Sequence, residues 1–154
     1  MSYSLWLLVH LLGVIVWVGG MFFAHVALRP AAVEVLQPPQ RLPLLAATLG
    51  RFFKWVAWSI VLILVSGVAI MMLFLANGGR LGAHIHVMTT LGLIMMAIFG
   101  HIRFAGFKRL RAAVASEDWP AGGAAMAQIR QLVLVNLVLG VITTVVVFVG
   151  RGWA

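Results

Sequence analysis

The sequence predicts an all-α integral membrane protein, a four-helix up-down bundle that forms a single transmembrane domain over residues 1–154. Three observations lead there. Hydrophobic residues make up 64% of the chain and charged residues 9%; soluble domains average about 45–50% and about 25%. Four stretches without Asp, Glu, Lys or Arg run over residues 5–28, 55–76, 81–102 and 132–150. Each is long enough, at about 1.5 Å per residue, to cross a hydrocarbon core of roughly 30 Å. Inside lipid every backbone polar group needs a partner within its own segment, so each stretch is a helix. The short alternating strands of an outer-membrane barrel are missing. This composition excludes a soluble globule, a disordered tail and a nucleic-acid module. The chain has no Cys, which excludes disulfide frameworks, thiolate metal sites and cysteine nucleophiles.

The first stretch has no basic leader and is too long for the apolar part of a cleavable signal, so it is expected to stay as helix 1. Residues 29–54 hold Pro30, Pro38, Pro39 and Pro43, and these predict a broken segment on the membrane surface. Residues 77–80, with Gly78 and Gly79, read as a tight turn. Residues 103–131 begin as a basic continuation of helix 3, break near Trp119 and Pro120, and restart as a lead-in to helix 4. The net charge of +8 reflects topology. Arg29, Arg41, Arg51, Lys54, Arg103, Lys108, Arg109, Arg111 and Arg130 lie in the two long connections, whereas only Arg80 and Arg151 lie on the other side. The positive-inside rule therefore places both long connections in the cytoplasm and both termini outside.

Ionisable groups within a span are costly in lipid and point to function. All five His residues fall in stretches 1 and 3: His10 and His25, then His84, His86 and His101. His10 to His25 is an interval of 15 residues, and so is His86 to His101. In an α-helix that is about 22 Å of rise and about 60° of net rotation. Helices 1 and 3 run the same way and sit diagonally in an up-down bundle. His10 with His86, and His25 with His101, can then meet at an outer and an inner level. Paired imidazoles on opposite sides of a flat macrocycle are the ligands of a b-type haem, so one or two haems are expected. Gly13, Gly19, Gly20, Gly92 and Gly100 would let a porphyrin edge approach the backbone. Arg80 and Arg151 outside, and Arg29, Arg51, Lys54 and Arg103 inside, would receive propionates. The interval from His84 to His101 turns the ring by about 160° relative to the other helix, so His86 is preferred over His84.

Plainer roles are open to the same residues. Glycines in membrane helices often mark close packing only. His25, His84 and His101 lie near span ends, where a His can face water; His10 is deeper. Asn136, Thr143 and Thr144 read as interhelical hydrogen-bonding groups, and Ser66 as a partner of its own helix backbone. Trp17 packs on a porphyrin face or fills the core. Trp6, Trp55 and Trp153 suit the interfaces. His84, His86 and several Met residues offer a copper path, although Met is more often apolar filler. No carboxylate lies in a span: Glu34, Glu117 and Asp118 are all in connections. This argues against a carboxylate-based proton-coupled transporter.

The motifs resemble a known family. His10 with Trp17, Gly19 and Gly20 resembles the opening helix of CopD-type membrane proteins, named for copper resistance. Arg51–Phe52 leading to Ser66–Gly67 resembles their second helix, and His86–Val87 through His101 the third. Ile129–Arg130, Asn136–Leu137, Leu139–Gly140 and Gly150–Arg151 resemble the last. The His10, Trp17 and Gly20 spacing and the His86–Val87 pair are also similar to HemJ-like protoporphyrinogen oxidases, four-helix proteins that bind haem b. The chain departs from that group at Met88, Ser59 and Asn136–Leu137, where the resemblance implies a Lys, a Pro and a Glu. The shared part therefore implies the scaffold and haem ligation rather than porphyrinogen oxidation.

The expectation is a bacterial inner-membrane cytochrome-like protein. It carries out electron transfer or haem-dependent redox chemistry with a quinone or another small partner, within membrane lipid, alone or in a homo-oligomer or larger complex. The expected cofactor-binding set is His10, His86, His25 and His101 as ligands, with Trp17, Arg80, Arg51 and Arg103 around them. The alternatives are a copper-handling protein without haem, a HemJ-like oxidase, and a non-catalytic subunit that anchors a partner.

Overall fold

The computed structural model describes residues 2–150. Arg151 and Trp153, both expected near the outer face, lie outside the described residues. Four long helices form the chain: α1 (Tyr3–Val35), α2 (Pro38–Ala76), α3 (Ala83–Ala115) and α4 (Trp119–Gly150). Each is long and apolar enough to cross a membrane.

The helices overrun the apolar stretches at the basic end of the bundle, where the α1–α2 and α3–α4 links lie. The proline-rich connection is helical apart from Leu36 and Gln37, both extended. Extension is what a residue before proline prefers. Pro38 and Pro39 then open α2, where their missing N–H groups cost nothing. Pro43 lies in the second turn of α2, where it has no N–H to give the Pro39 carbonyl, and the helix continues through it. The opposite end closes through Asn77–Gly82. The Asn77 side chain donates to the Leu73 carbonyl at 2.7 Å, and Gly78 takes φ +77°, which glycine adopts without strain. At the α3–α4 link Asp118 Oδ1 accepts the Ala121 N–H at 3.0 Å, an N-terminal cap on α4.

The helices pair as antiparallel hairpins, α1 with α2 and α3 with α4. Small residues set the spacing. A Cβ on Gly20 would collide with the Phe52 ring, and one on Gly140 would lie 3.0 Å from Val18. The hydrophobic core occupies the basic half, around Trp17, Phe53, Phe99, Ile102, Leu110 and Ile129. Edge-to-face rings cross it: Trp17–Phe99 at 6.2 Å, Phe99–Phe53 at 5.6 Å and Phe53–Phe107 at 5.2 Å. These contacts join α1, α2 and α3. The bundle exterior carries Leu8, Ile15, Phe22, Trp58 and Phe148, all exposed, as expected of a lipid-facing surface.

Three segments wind with the wider i→i+5 pattern: Ile15–Gly19 and Ala24–Leu28 in α1, and Ile102–Gly106 in α3. Such turns are rare and often lie at functional sites.

Candidate intramembrane histidine site

His10 is the most firmly placed of the five imidazoles. Its Nδ1 lies 3.1 Å from the Ile63 carbonyl oxygen and 3.1 Å from Ser66 Oγ. A carbonyl only accepts, so Nδ1 carries the proton. Ser66 spends its own hydroxyl hydrogen on the Leu62 carbonyl and is left as a second acceptor. The network thus assigns the tautomer and leaves Nε2 with a bare lone pair. The ring edge rests against Gly67, where a Cβ would approach His10 Cε1 to 3.3 Å. One helical turn along α1, Gly13 nests against Ile63 of α2. The sequence points to Ser66 as a partner of its own helix; it is that, and it is also the partner of His10. Nothing in the sequence links positions 56 residues apart except the hairpin that pairs them.

The other histidines are placed differently. His25 is half-buried and lines a small cavity of about 30 Å³ with walls from α1, α2 and α4. None of its walls comes from α3, which carries His101. His101 and His86 are exposed. His84 packs against Gly150 at the end of α4 and against Gly82 of the turn. The expected equality of rotation is lost as well. His86 to His101 is regular α-helix, whereas α1 contains the wide turn Ile15–Gly19 between its two histidines and a second one starting at Ala24. A wide turn acts as an inserted residue and rotates the rest of the helix by about 100°. The 15-residue intervals therefore match in length but not in angle.

The surrounding residues divide similarly. Trp17 is a core residue, 3% exposed. At the level of His25 and His101 the interior is filled by Leu49, Ile102, Phe107 and Ile129. In the opposite half, among the described residues of the apolar stretches beyond Trp17, Val56, Met95 and Leu137, the buried ones are Gly13, Ser59, Ser66 and Gly140. Large side chains there do not close a core, and Gly92 has open space where a Cβ would stand. Arg80 and Arg51 are exposed. Arg103 lies over the rings of Phe104 and Phe107, at 5.9 and 5.4 Å from their centres. With Lys108 and Arg111 it edges a surface groove of about 380 Å³.

Asn136 behaves as expected, donating from Nδ2 to the Met95 carbonyl of α3 at 3.2 Å. Its Oδ1 is buried without a partner. Thr143 and Thr144 do not bridge helices; they bond Leu139 and Gly140 of their own helix. That is the cheaper arrangement for a hydroxyl in a helix exposed to lipid. Among the described residues no three His, Asp or Glu side chains gather as a metal cage.

Fold and site together define a multi-pass four-helix membrane protein with a hydrogen-bonded histidine inside the span. The chain belongs to the copper resistance protein D (CopD) family, whose pattern matches residues 46–149. No curated protein and no solved structure matches it.

Proposed function

We propose that this chain is a membrane b-type haem protein that passes electrons, with its haem in the loosely filled half of the bundle. The observation that carries this reading is His10, held through Nδ1–H by Ile63 and Ser66 with Nε2 left free. A metal-binding imidazole is typically oriented in this way, by a backbone or side-chain acceptor on its other nitrogen. His86 of α3 is the proposed ligand from the opposite side. Iron porphyrin bound there supplies reversible one-electron chemistry. The residues of the chain fix the ligand tautomer, exclude water with an apolar surround and set the distance between α1 and α3. A second haem between His25 and His101 has weaker support, because packed side chains fill that level. The positive-inside count supports a cytoplasmic basic end, so the proposed haem lies towards the outer face of a bacterial inner membrane.

The family description favours a second reading, copper handling. His84, His86 and Met88 would then be the donors, a soft and imidazole set suited to copper. One experiment separates the two. The protein is purified from membranes with haem precursor and copper both supplied, and its absorption spectrum and metal content are measured. A Soret band with a sharp α band on reduction supports haem. A colourless protein with stoichiometric copper overturns it in favour of copper.

A further inference from the structure

We propose that the groove on α3 edged by Arg103, Phe104, Phe107, Lys108 and Arg111 seats the headgroup of an anionic phospholipid at the basic end of the bundle. The sequence sets the lining residues in two rows. Arg103, Phe107 and Arg111 are four apart, and so are Phe104, Lys108 and Ala112. Residues at that interval share a helix face, so the rows run side by side along α3, with a cation next to a phenyl ring in each. Leu110 and Ala113 of the same segment are buried, which turns the groove away from the core. Lys108 and Arg111 are exposed, and Phe104 is 76% exposed. Phe107 is buried and closes the groove on the core side. Arg103 is half-buried and lies over both rings. A guanidinium already held on aromatic faces loses less freedom when it takes up an anion.

The positive-inside rule accounts for how many cations lie at this end. It does not require three of them to edge one groove. Arg109, on the same helix, turns instead to α4 and donates to Gln128 Oε1 at 3.0 Å. No carboxylate lines the groove, so its three positive charges share a space with no negative partner from the chain. Arginine forks and a lysine ammonium are the usual partners of phosphate oxygens. The groove holds about 380 Å³, within the range of small-ligand sites, about 300–1,000 Å³. Arg103 and Phe104 both belong to the wide turn Ile102–Gly106, a rare feature that is often found at functional sites. Arg103 also directly follows the apolar stretch that ends at Ile102, the depth at which lipid phosphates lie. The exposed ring of Phe104 favours an amphiphile, with apolar substance beside the phosphate, over a wholly ionic partner. Basic sites on membrane helices recognise anionic headgroups by these means.

The test is native mass spectrometry of the purified full chain, equilibrated with equal phosphatidylglycerol and phosphatidylcholine. The wild-type protein is expected to retain phosphatidylglycerol preferentially, by about fivefold or more. Equal retention of the two lipids overturns the proposal without recourse to any variant. Lys108→Gln with Arg111→Gln should reduce that preference by about fivefold. Lys54→Gln with Arg109→Gln removes the same charge from exposed positions outside the groove and should change the preference by less than about twofold. All four positions are exposed, where substitution leaves a fold intact. Equal losses in the two double variants would reduce the effect to general surface charge and overturn the site. Displacement of the bound lipid by millimolar inorganic phosphate, or by a polyglutamate peptide, would assign the groove to a free anion or an acidic segment, and the lipid assignment would fall.

Discussion

The imidazole of His10 donates from Nδ1 to the Ile63 carbonyl oxygen at 3.1 Å, across the α1–α2 hairpin. This bond ties the most firmly oriented intramembrane histidine to the next helix in the chain. Ser66 Oγ, also at 3.1 Å, shares the same proton. Removing the hydroxyl with Ser66→Ala leaves the carbonyl bond in place. The expected cost to folding is about 1 kcal/mol. If His10 is an axial ligand, haem retention should weaken by about tenfold as well, because a partner of the ligand is lost. Haem transfer to an apo-acceptor, compared with thermal unfolding of the same variant, separates the two effects.

The glycines of α1 should respond oppositely to the same substitution. Gly20→Ala drives a methyl group into the Phe52 ring. Overpacking of this kind costs about 1–3 kcal/mol. Gly19 has nothing within 4 Å of its added Cβ, so Gly19→Ala should be neutral or stabilise the helix by up to about 1 kcal/mol. Thermal melts in one detergent check both.

The ring chain centred on Phe53 should dominate stability. Phe53 is 2% exposed and meets both Phe99 and Phe107 edge-on. Phe53→Ala is expected to destabilise by about 3–5 kcal/mol. Trp58→Ala removes a larger side chain from the same helix, yet Trp58 is 66% exposed and its loss should change the melt little. Unfolding monitored by circular dichroism in mixed micelles reads the contrast.

Asn136 offers a subtler case. One of its two polar ends is satisfied and the other is buried alone. Interhelical hydrogen bonds in membranes average only about 0.6 kcal/mol, and the orphaned oxygen offsets part of that. Asn136→Leu keeps the volume and removes the orphan, so stability should stay within about 1 kcal/mol of wild type. A large loss would mean that the oxygen has a partner, such as a bound water or cofactor, in the membrane.

Sequence alone is informative about whatever depends on composition and charge placement. Four uncharged apolar stretches become four long helices, and the glycine-marked turn lies where Gly78 requires a left-handed backbone. The prolines mislead. Pro38 and Pro39 begin a helix instead of breaking one, because sequence shows a proline without showing which turn it occupies. The wide turns in α1 change the angle between His10 and His25 from that of a regular helix, and no residue pattern marks them.

The haem-to-protein ratio, by pyridine haemochrome, of wild type, His10→Ala and His25→Ala purified side by side tests His10 ligation most directly. One haem per chain is expected in wild type, with its loss in His10→Ala and its retention in His25→Ala. Haem bound undiminished to the His10→Ala protein, or a wild-type protein without haem after purification with precursor supplied, would contradict the proposed ligation.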